Sequence, residues 1–197
     1  MSLAGKKIGF GITASFCTVM EILPYMQRLK DEGAEVYPVV SENVAKYSSR
    51  LHDRDEFLEK IRQISGRSEI DNILGAELFG PKIPLDIMVI APATGNTLAK
   101  LANGITDGAV TMAAKATLRN AKPLLLAPFT NDALGANGIN IMKLYNSKNI
   151  FFVPFGQDDP FTKPTSMTAD LNYFHQALTH ALDKKQLQPA LVTHARQ

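Results

Sequence analysis

Five short apolar runs, each followed by a stretch with helical spacing, constrain this chain more than any other feature. Residues 7–11, 35–40, 87–90, 124–127 and 150–153 read as strands. They are too short for core helices, and the middle three lack the polar alternation of a half-exposed sheet. Helical patterns fall between them at 15–32, 53–65, 96–102, 108–119 and 133–147, with a short helix at 43–48 and a closing one at 168–184. Within 53–65, Phe57, Leu58, Ile61 and Ile64 make one apolar face. Gly33 is placed to end the first helix. Strand and helix in strict alternation imply a parallel sheet covered by helices on both faces.

The chain of 197 residues suits a single domain over 1–197, with its core at about 5–185 and a tail from 186 to 197. A formal net charge of +2 supplies no electrostatic footprint for nucleic acid or a membrane surface. No apolar run is long enough to span a bilayer, and the amino end lacks the basic-then-apolar order of a secretory leader. A lone cysteine, Cys17, rules out an internal disulfide framework and fits a reducing cytoplasm.

In such a sheet the segments after the strands gather along one edge, where ligands bind in open α/β folds. Four of them are small and polar. After residues 87–90 comes Ala91-Pro92-Ala93-Thr94-Gly95-Asn96-Thr97, with compact donors and acceptors at Thr94, Asn96 and Thr97 and, at Gly95, room for close backbone approach. The first strand leads into Gly11-Ile12-Thr13-Ala14-Ser15. A helix starting there offers free N–H groups to a phosphate, and Thr13 and Ser15 add hydroxyls. It departs from G-x-G-x-x-G, which favours a mononucleotide phosphate over a pyrophosphate. Ser41 follows the second strand, and Pro128 to Asn131 follow the fourth. The competing reading makes Thr13, Ser15, Ser41, Thr94 and Asn96 ordinary helix caps.

The segment from Ala91 to Thr97, running on through Lys100-Leu101-Ala102-Asn103-Gly104-Ile105-Thr106-Asp107, resembles the Pro-Ala-Ser-Ala-Asn-Thr segment of the flavoprotein family. That family comprises homo-oligomeric flavin-containing cysteine decarboxylases, pantothenate-pathway decarboxylases and flavin prenyltransferases. Residues 11–15 are similar to its amino-terminal phosphate loop. The resemblance implies a three-layer αβα, Rossmann-like (flavodoxin-type) parallel sheet, bound FMN and a trimer-based homo-oligomer. It also implies a crevice lined by Gly11, Thr13, Ser15, Ser41, Thr94, Gly95, Asn96 and Thr97.

Within the family, residues 130–135, 149–161 and 186–189 resemble subunits from spore-forming bacteria that act with a nicotinamide-binding partner carrying NADP. That likeness implies oxidation of a small dicarboxylate, a dihydrodipicolinate-type precursor, to dipicolinate in the mother-cell cytoplasm during sporulation. Two departures tell against cysteine-type decarboxylation. Residues 76–82, where the pantothenate-pathway decarboxylases place a catalytic His, contain none, and their Pro-Ala-Met-Asn segment is replaced by Ala127-Pro128-Phe129-Thr130-Asn131. Gly95 stands where the motif usually has Ala. Two other readings stay open: a scaffold that has lost its flavin, and an FMN-dependent decarboxylase with unusual catalytic groups.

The remaining chemical groups point less sharply. His52, His175, His180 and His194 lack metal-ligand spacing, so no metal site is expected. Cys17 reads as a packed thiol rather than a reactive one. For a dicarboxylate the cationic candidates are Lys163 and the pair Lys115 and Arg119. Residues 156–164 read as a lid or a docking loop, with Asp158 and Asp159 as turn residues. Phe151, Phe152, Phe155 and Phe161 make that region strongly apolar. No residue qualifies as catalytic on sequence grounds.

Overall fold

A computed structural model describes residues 2–193, apart from 16, 50 and 52. The five anticipated strands are β1 (Lys7–Ile12), β2 (Glu35–Val40), β3 (Ile87–Ala93), β4 (Leu124–Thr130) and β5 (Ile150–Phe152). They pair in parallel in the order β2-β1-β3-β4-β5. The chain order reverses between β1 and β3, the switch point at which doubly wound sheets bind ligands. Pro38, with no N–H to donate, sits in the outermost of these strands, β2. Side chains alternate across β1. Phe10 meets Phe174 of α8 (Phe174–Leu182), with ring centroids 6.0 Å apart. On the other face, bare Gly11 makes room for Met88 and for Val110 of α6 (Ala109–Arg119). The sheet is thus sandwiched between helices, as its alternating sequence requires.

Three helices are shorter than their sequence patterns. The stretch 133–147 is helical only over Gly138–Tyr145, its first residues making turns. The stretch 15–32 forms α1 only over Leu23–Asp31, and residues 17–22 make successive turns, Thr18 N–H bonding to Ser15 and Glu21 N–H to Thr18. Pro24 is the reason: it has no N–H for the Met20 carbonyl, and its fixed φ suits a helix start. The phosphate-facing helix end expected near Ser15 is therefore absent. The stretch 168–184 likewise becomes a strand, β7 (Met167–Ala169), a 3-10 turn over Leu171–Tyr173, and then α8.

β7 pairs antiparallel with the far half of β4 and with β6 (Phe155–Gly156), forming a small flap beyond β5. The proposed tail also folds back. Gln186 bonds both ways with the Phe152 backbone, Leu187 is buried, and Phe155 exchanges backbone hydrogen bonds with Ala190 and Val192. The remaining helices are α2 (Glu42–Lys46), α3 (Arg54–Ser65), α4 (Ile73–Glu77), α5 (Gly95–Ala102) and α7 (Gly138–Tyr145). No helix among the described residues is long and apolar enough to cross a membrane.

Candidate functional site

The exits of β1 and β3 are tied together by hydroxyls. Buried Thr13 donates to the Pro92 carbonyl at 2.7 Å and accepts from the Thr94 amide at 3.0 Å. Thr94 Oγ1 and Thr97 Oγ1 lie 3.1 Å apart. Three of the expected ligand hydroxyls thus work as pins that fix where α5 starts. Leu98 N–H closes the first turn onto the Thr94 carbonyl at 2.9 Å, which leaves the amides of Gly95, Asn96 and Thr97 without an intrahelical acceptor.

These amides stand between two cavities. The larger, about 800 Å³, is lined by Ser15, Cys17, Thr18, Thr94, Gly95 and Asn96 from the β1 and β3 loops. Its other lining residues, from Phe129 to Asn137 and from Asp158 to Thr168, come from the end of β4 and the flap. The smaller, about 150 Å³, is lined by Ser41 and Asn43 and by the starts of α5 and α6, including Lys100, Asp107 and Thr111. Asn96 borders both. In the smaller cavity, α6 makes its first closed turn from Met112 N–H to the Gly108 carbonyl, so a second set of helix-start amides is open there. Ser41 Oγ is shielded from solvent and has no hydrogen-bond partner. Lys100 Nζ bridges both oxygens of Asp107 at 2.9 and 2.8 Å, and this bond holds the Asp107 carboxyl below its ordinary pKa.

A polar cluster sits directly on Gly95. A Cβ there would lie 2.5 Å from Thr130 Oγ1, 2.6 Å from Asn137 Nδ2 and 2.9 Å from Asp132 Oδ1. Thr130 donates to one oxygen of Asp132, and Asn137 donates to the other at 2.8 Å. Asn140 of α7 in turn donates to Asn137 Oδ1 at 2.9 Å. The departure from Ala to Gly was the sequence signal for this cluster, because a methyl group is what it excludes.

Of the eight anticipated site residues, Ser15, Thr94, Gly95 and Asn96 line the large cavity, and Ser41, Asn96 and Thr97 line the small one. Thr13 lies beneath them as a pin. Gly11 lies inside β1, where its lack of a side chain serves packing. Cys17 is exposed on the cleft rather than packed. Lys163 reaches the cleft, whereas Lys115 and Arg119 belong to the later turns of α6, away from its cavity-facing start. Asp159 is the turn residue expected, accepting from the amides of Phe161 and Thr162, but Asp158 lines the cleft. Asp132, Asn137 and Asp158 were not singled out by sequence as site residues. His175 pairs with Glu32 at 2.7 Å and His180 with the Gln176 carbonyl, while His52 and His194 fall outside the described residues. Among the described residues no cluster of three or more His, Cys, Asp or Glu is placed to hold a metal.

A family model described as Flavoprotein matches residues 1–171. The chain belongs to the flavoprotein family. The B subunit of dipicolinate synthase from Bacillus subtilis strain 168 is 54% identical to this chain, over 97% of this chain and 96% of the relative's. The crystal structure of the B subunit of dipicolinate synthase from Bacillus halodurans superposes with a TM-score of 0.91 at 49% identity, covering 98% of this chain and 99% of that one. The FMN-dependent cysteine decarboxylase SpaF shares the fold, with a TM-score of 0.66 at 22% identity over 91% of this chain and 98% of its own.

Proposed function

We propose that this chain is the B-type subunit of a dipicolinate-forming enzyme. In this reading it holds FMN across the two cavities that meet at Asn96 and presents a small dicarboxylate. The partner is a nicotinamide-binding A subunit of dipicolinate synthase carrying NADP. The observation that carries the flavin part is Ser41 Oγ, a buried hydroxyl without a partner beside two sets of open helix-start amides. Native proteins rarely leave such a group unmatched. Those amides and Ser41 would hold a phosphate in the smaller cavity, since helix starts favour anions, while Lys100 offsets the Asp107 carboxylate on the same wall. The larger cavity, about 800 Å³, lies within the roughly 300–1,000 Å³ typical of cofactor sites, and Ser15, Thr94, Gly95 and Asn96 would line the flavin there.

Bound in this way, FMN supplies a carrier of reducing equivalents between substrate and nicotinamide. In the net oxidation a dihydro ring loses a hydride, which ends on NADP, and a proton, and it becomes aromatic. The chain's own contribution is to bind and orient the diacid, as Lys163 places a cation on the cleft wall. The relative named as a dipicolinate synthase subunit supports this substrate class. It also suggests the sporulating mother-cell cytoplasm as the setting. A homo-oligomer built on trimers would cover exposed Ile139 and Met142, which lie three residues apart on α7.

One observation favours the scaffold reading: Thr13, Thr94 and Thr97 spend their hydroxyls on one another and on Pro92. An absorbance spectrum of the purified protein with FMN, before and after adding the A subunit, separates the two. A bound-flavin spectrum supports the cofactor role. A spectrum of free flavin in both states, with product formation still dependent on both chains, leaves a flavin-free subunit that presents substrate.

A further inference from the structure

The polar side chains of the large cleft differ in how much hydrogen-bonding capacity they have spent. Asp132 is satisfied on both oxygens, by Thr130 and Asn137. Asp158 and Lys163 are not. Asp158 Oδ1 is shielded from solvent and has no hydrogen-bond partner. Its Oδ2 meets Lys163 Nζ at 3.4 Å, longer than the roughly 2.7–2.9 Å of a good charge-assisted bond. Lys163 is the only Lys or Arg among the described residues lining this cleft, and its side chain is 61% exposed. Burial pushes the Asp158 carboxyl up, but hydrogen bonding from the Ser166 hydroxyl and from its own backbone amide, with the Lys163 ammonium, outweighs it, so the group is held below its ordinary range and stays ionised.

The loop that carries the pair is clamped. Thr165 Oγ1 donates to the Asn131 carbonyl at 2.7 Å, Leu134 N–H donates to the Thr165 carbonyl at 3.0 Å, and Gln157 Nε2 donates to the Pro164 carbonyl at 2.8 Å. An unsatisfied acceptor and an underused donor are therefore held side by side, ready for a ligand. Lys163 needs an anion and Asp158 Oδ1 needs a donor. One ligand unit meets both demands: a carboxylate next to a ring nitrogen that bears a hydrogen.

We propose that Asp158 and Lys163 form the recognition pair for a carboxylate flanked by an N–H, the unit of a partly reduced nitrogen ring. This rests on the reading of the chain as a subunit that handles a dipicolinate precursor. An aromatic pyridine nitrogen carries no hydrogen and turns a lone pair toward Asp158. The same pair that selects the reduced ring therefore weakens the hold on the aromatic product. Rejection of an analogue that leaves a polar group unmatched is the strong form of specificity.

Calorimetric titration of the full chain with three diacids tests the pair. Piperidine-2,6-dicarboxylate carries the N–H, dipicolinate has a bare ring nitrogen, and isophthalate has none. Wild type is expected to bind the piperidine diacid about tenfold or more tighter than the other two. Asp158→Ala erases that preference, and Lys163→Ala weakens all three diacids by about tenfold while Lys163→Arg restores them. Asp158→Asn, matched in size, serves as the folding control by thermal melting. Equal binding of dipicolinate and the piperidine diacid by wild type, or an unchanged preference in Asp158→Ala, overturns the proposal. FMN titration in parallel keeps the two readings apart. Loss of flavin binding with the diacid preference intact removes the cofactor and spares the pair, whereas flavin binding without the preference does the reverse.

Discussion

Gly95→Ala restores the residue that the family motif usually carries, and it should destabilise this chain. Two effects compete. Gly95 is the first residue of α5, outside the helix interior where Ala is favoured over Gly by about 0.5–1 kcal/mol, so that figure is an upper bound on the helical gain here. Against this, the new methyl group would lie 2.5 Å from Thr130 Oγ1, 2.6 Å from Asn137 Nδ2 and 2.9 Å from Asp132 Oδ1. None of these is a free side-chain end, since Thr130 and Asn137 both donate to Asp132. Overpacking typically costs ~1–3 kcal/mol, and stretching a hydrogen bond to a carboxylate puts a further ~1.5–3 kcal/mol at risk. The clash wins, leaving a net loss of about 1–2 kcal/mol from the overpacking alone and up to ~5 kcal/mol where the hydrogen bond is lost as well. For a chain of 197 residues that corresponds to roughly 2–4 °C in Tm per kcal/mol. Thermal and urea unfolding of Gly95→Ala, Asp132→Ala and the double variant would measure it. Asp132→Ala removes one obstacle and frees the other two side chains, so the Gly95→Ala penalty should shrink in that background. A Gly95→Ala protein melting at or above wild type would refute the reasoning. So would penalties that add to within about 0.5 kcal/mol, as independent sites do.

Three further outcomes follow from the same accounting. Ser41→Ala removes a buried hydroxyl with no partner, so the ligand-free protein should melt no lower than wild type while FMN affinity, read by fluorescence quenching, falls about tenfold. A fall in both, or in neither, would show that Ser41 Oγ serves the fold or nothing. Asn96 is exposed and borders both cavities, so Asn96→Ala should leave urea unfolding unchanged and weaken FMN by about tenfold. Unchanged affinity in the folded variant would take Asn96 out of the site. Burial pushes the Glu69 carboxyl up, but the Arg62 guanidinium, at 2.8 and 2.6 Å from its two oxygens, outweighs it and holds it below the ordinary 4.5. A lowered folded pKa gives stability that is present above the ordinary value and lost as pH falls through the folded one. Glu69→Gln should therefore cost up to ~1 kcal/mol at pH 7. That cost should fade in acid, and equal losses at pH 7 and pH 3 would contradict the ion-pair account.

The parallel core was legible because its strands are uniform apolar runs and each is closed by its own helix. The flap was not legible. β6 has two residues and β7 three, too few for any periodicity, and both exist only because β4 runs on to Thr130 and offers Phe129 and Thr130 to Met167 and Thr168. A pairing between residues almost forty positions apart leaves no local mark. The start of α1 was misplaced for a local reason that the sequence did contain: Pro24 withholds the donor that the Met20 carbonyl would need. The inward return of residues 186–192 depends on Gln186 reaching the Phe152 backbone at the edge of the sheet, again a contact without a local signature.

The site divides along a line that residue type alone does not reveal. Thr13, Thr94, Thr97 and Asp132 have the chemistry of ligand-binding groups, yet their hydrogen bonds are spent inside the protein. Ser41, Asp158 and Lys163 have the same chemistry and spend it poorly or not at all. A hydroxyl that pins two loops cannot also bind a ligand without releasing one of them, so the pins set the geometry and the underused groups are the ones left free to bind. Gly95 shows that the division is built in. By omitting a methyl group it lets Thr130 and Asn137 satisfy Asp132 against the start of α5, which leaves Asp158 and Lys163 as the charged groups lining the cleft, among the described residues, with capacity to spare. Substitutions at Thr13 or Thr97 should accordingly lower stability and ligand affinity together, whereas substitutions at Lys163 should lower affinity alone.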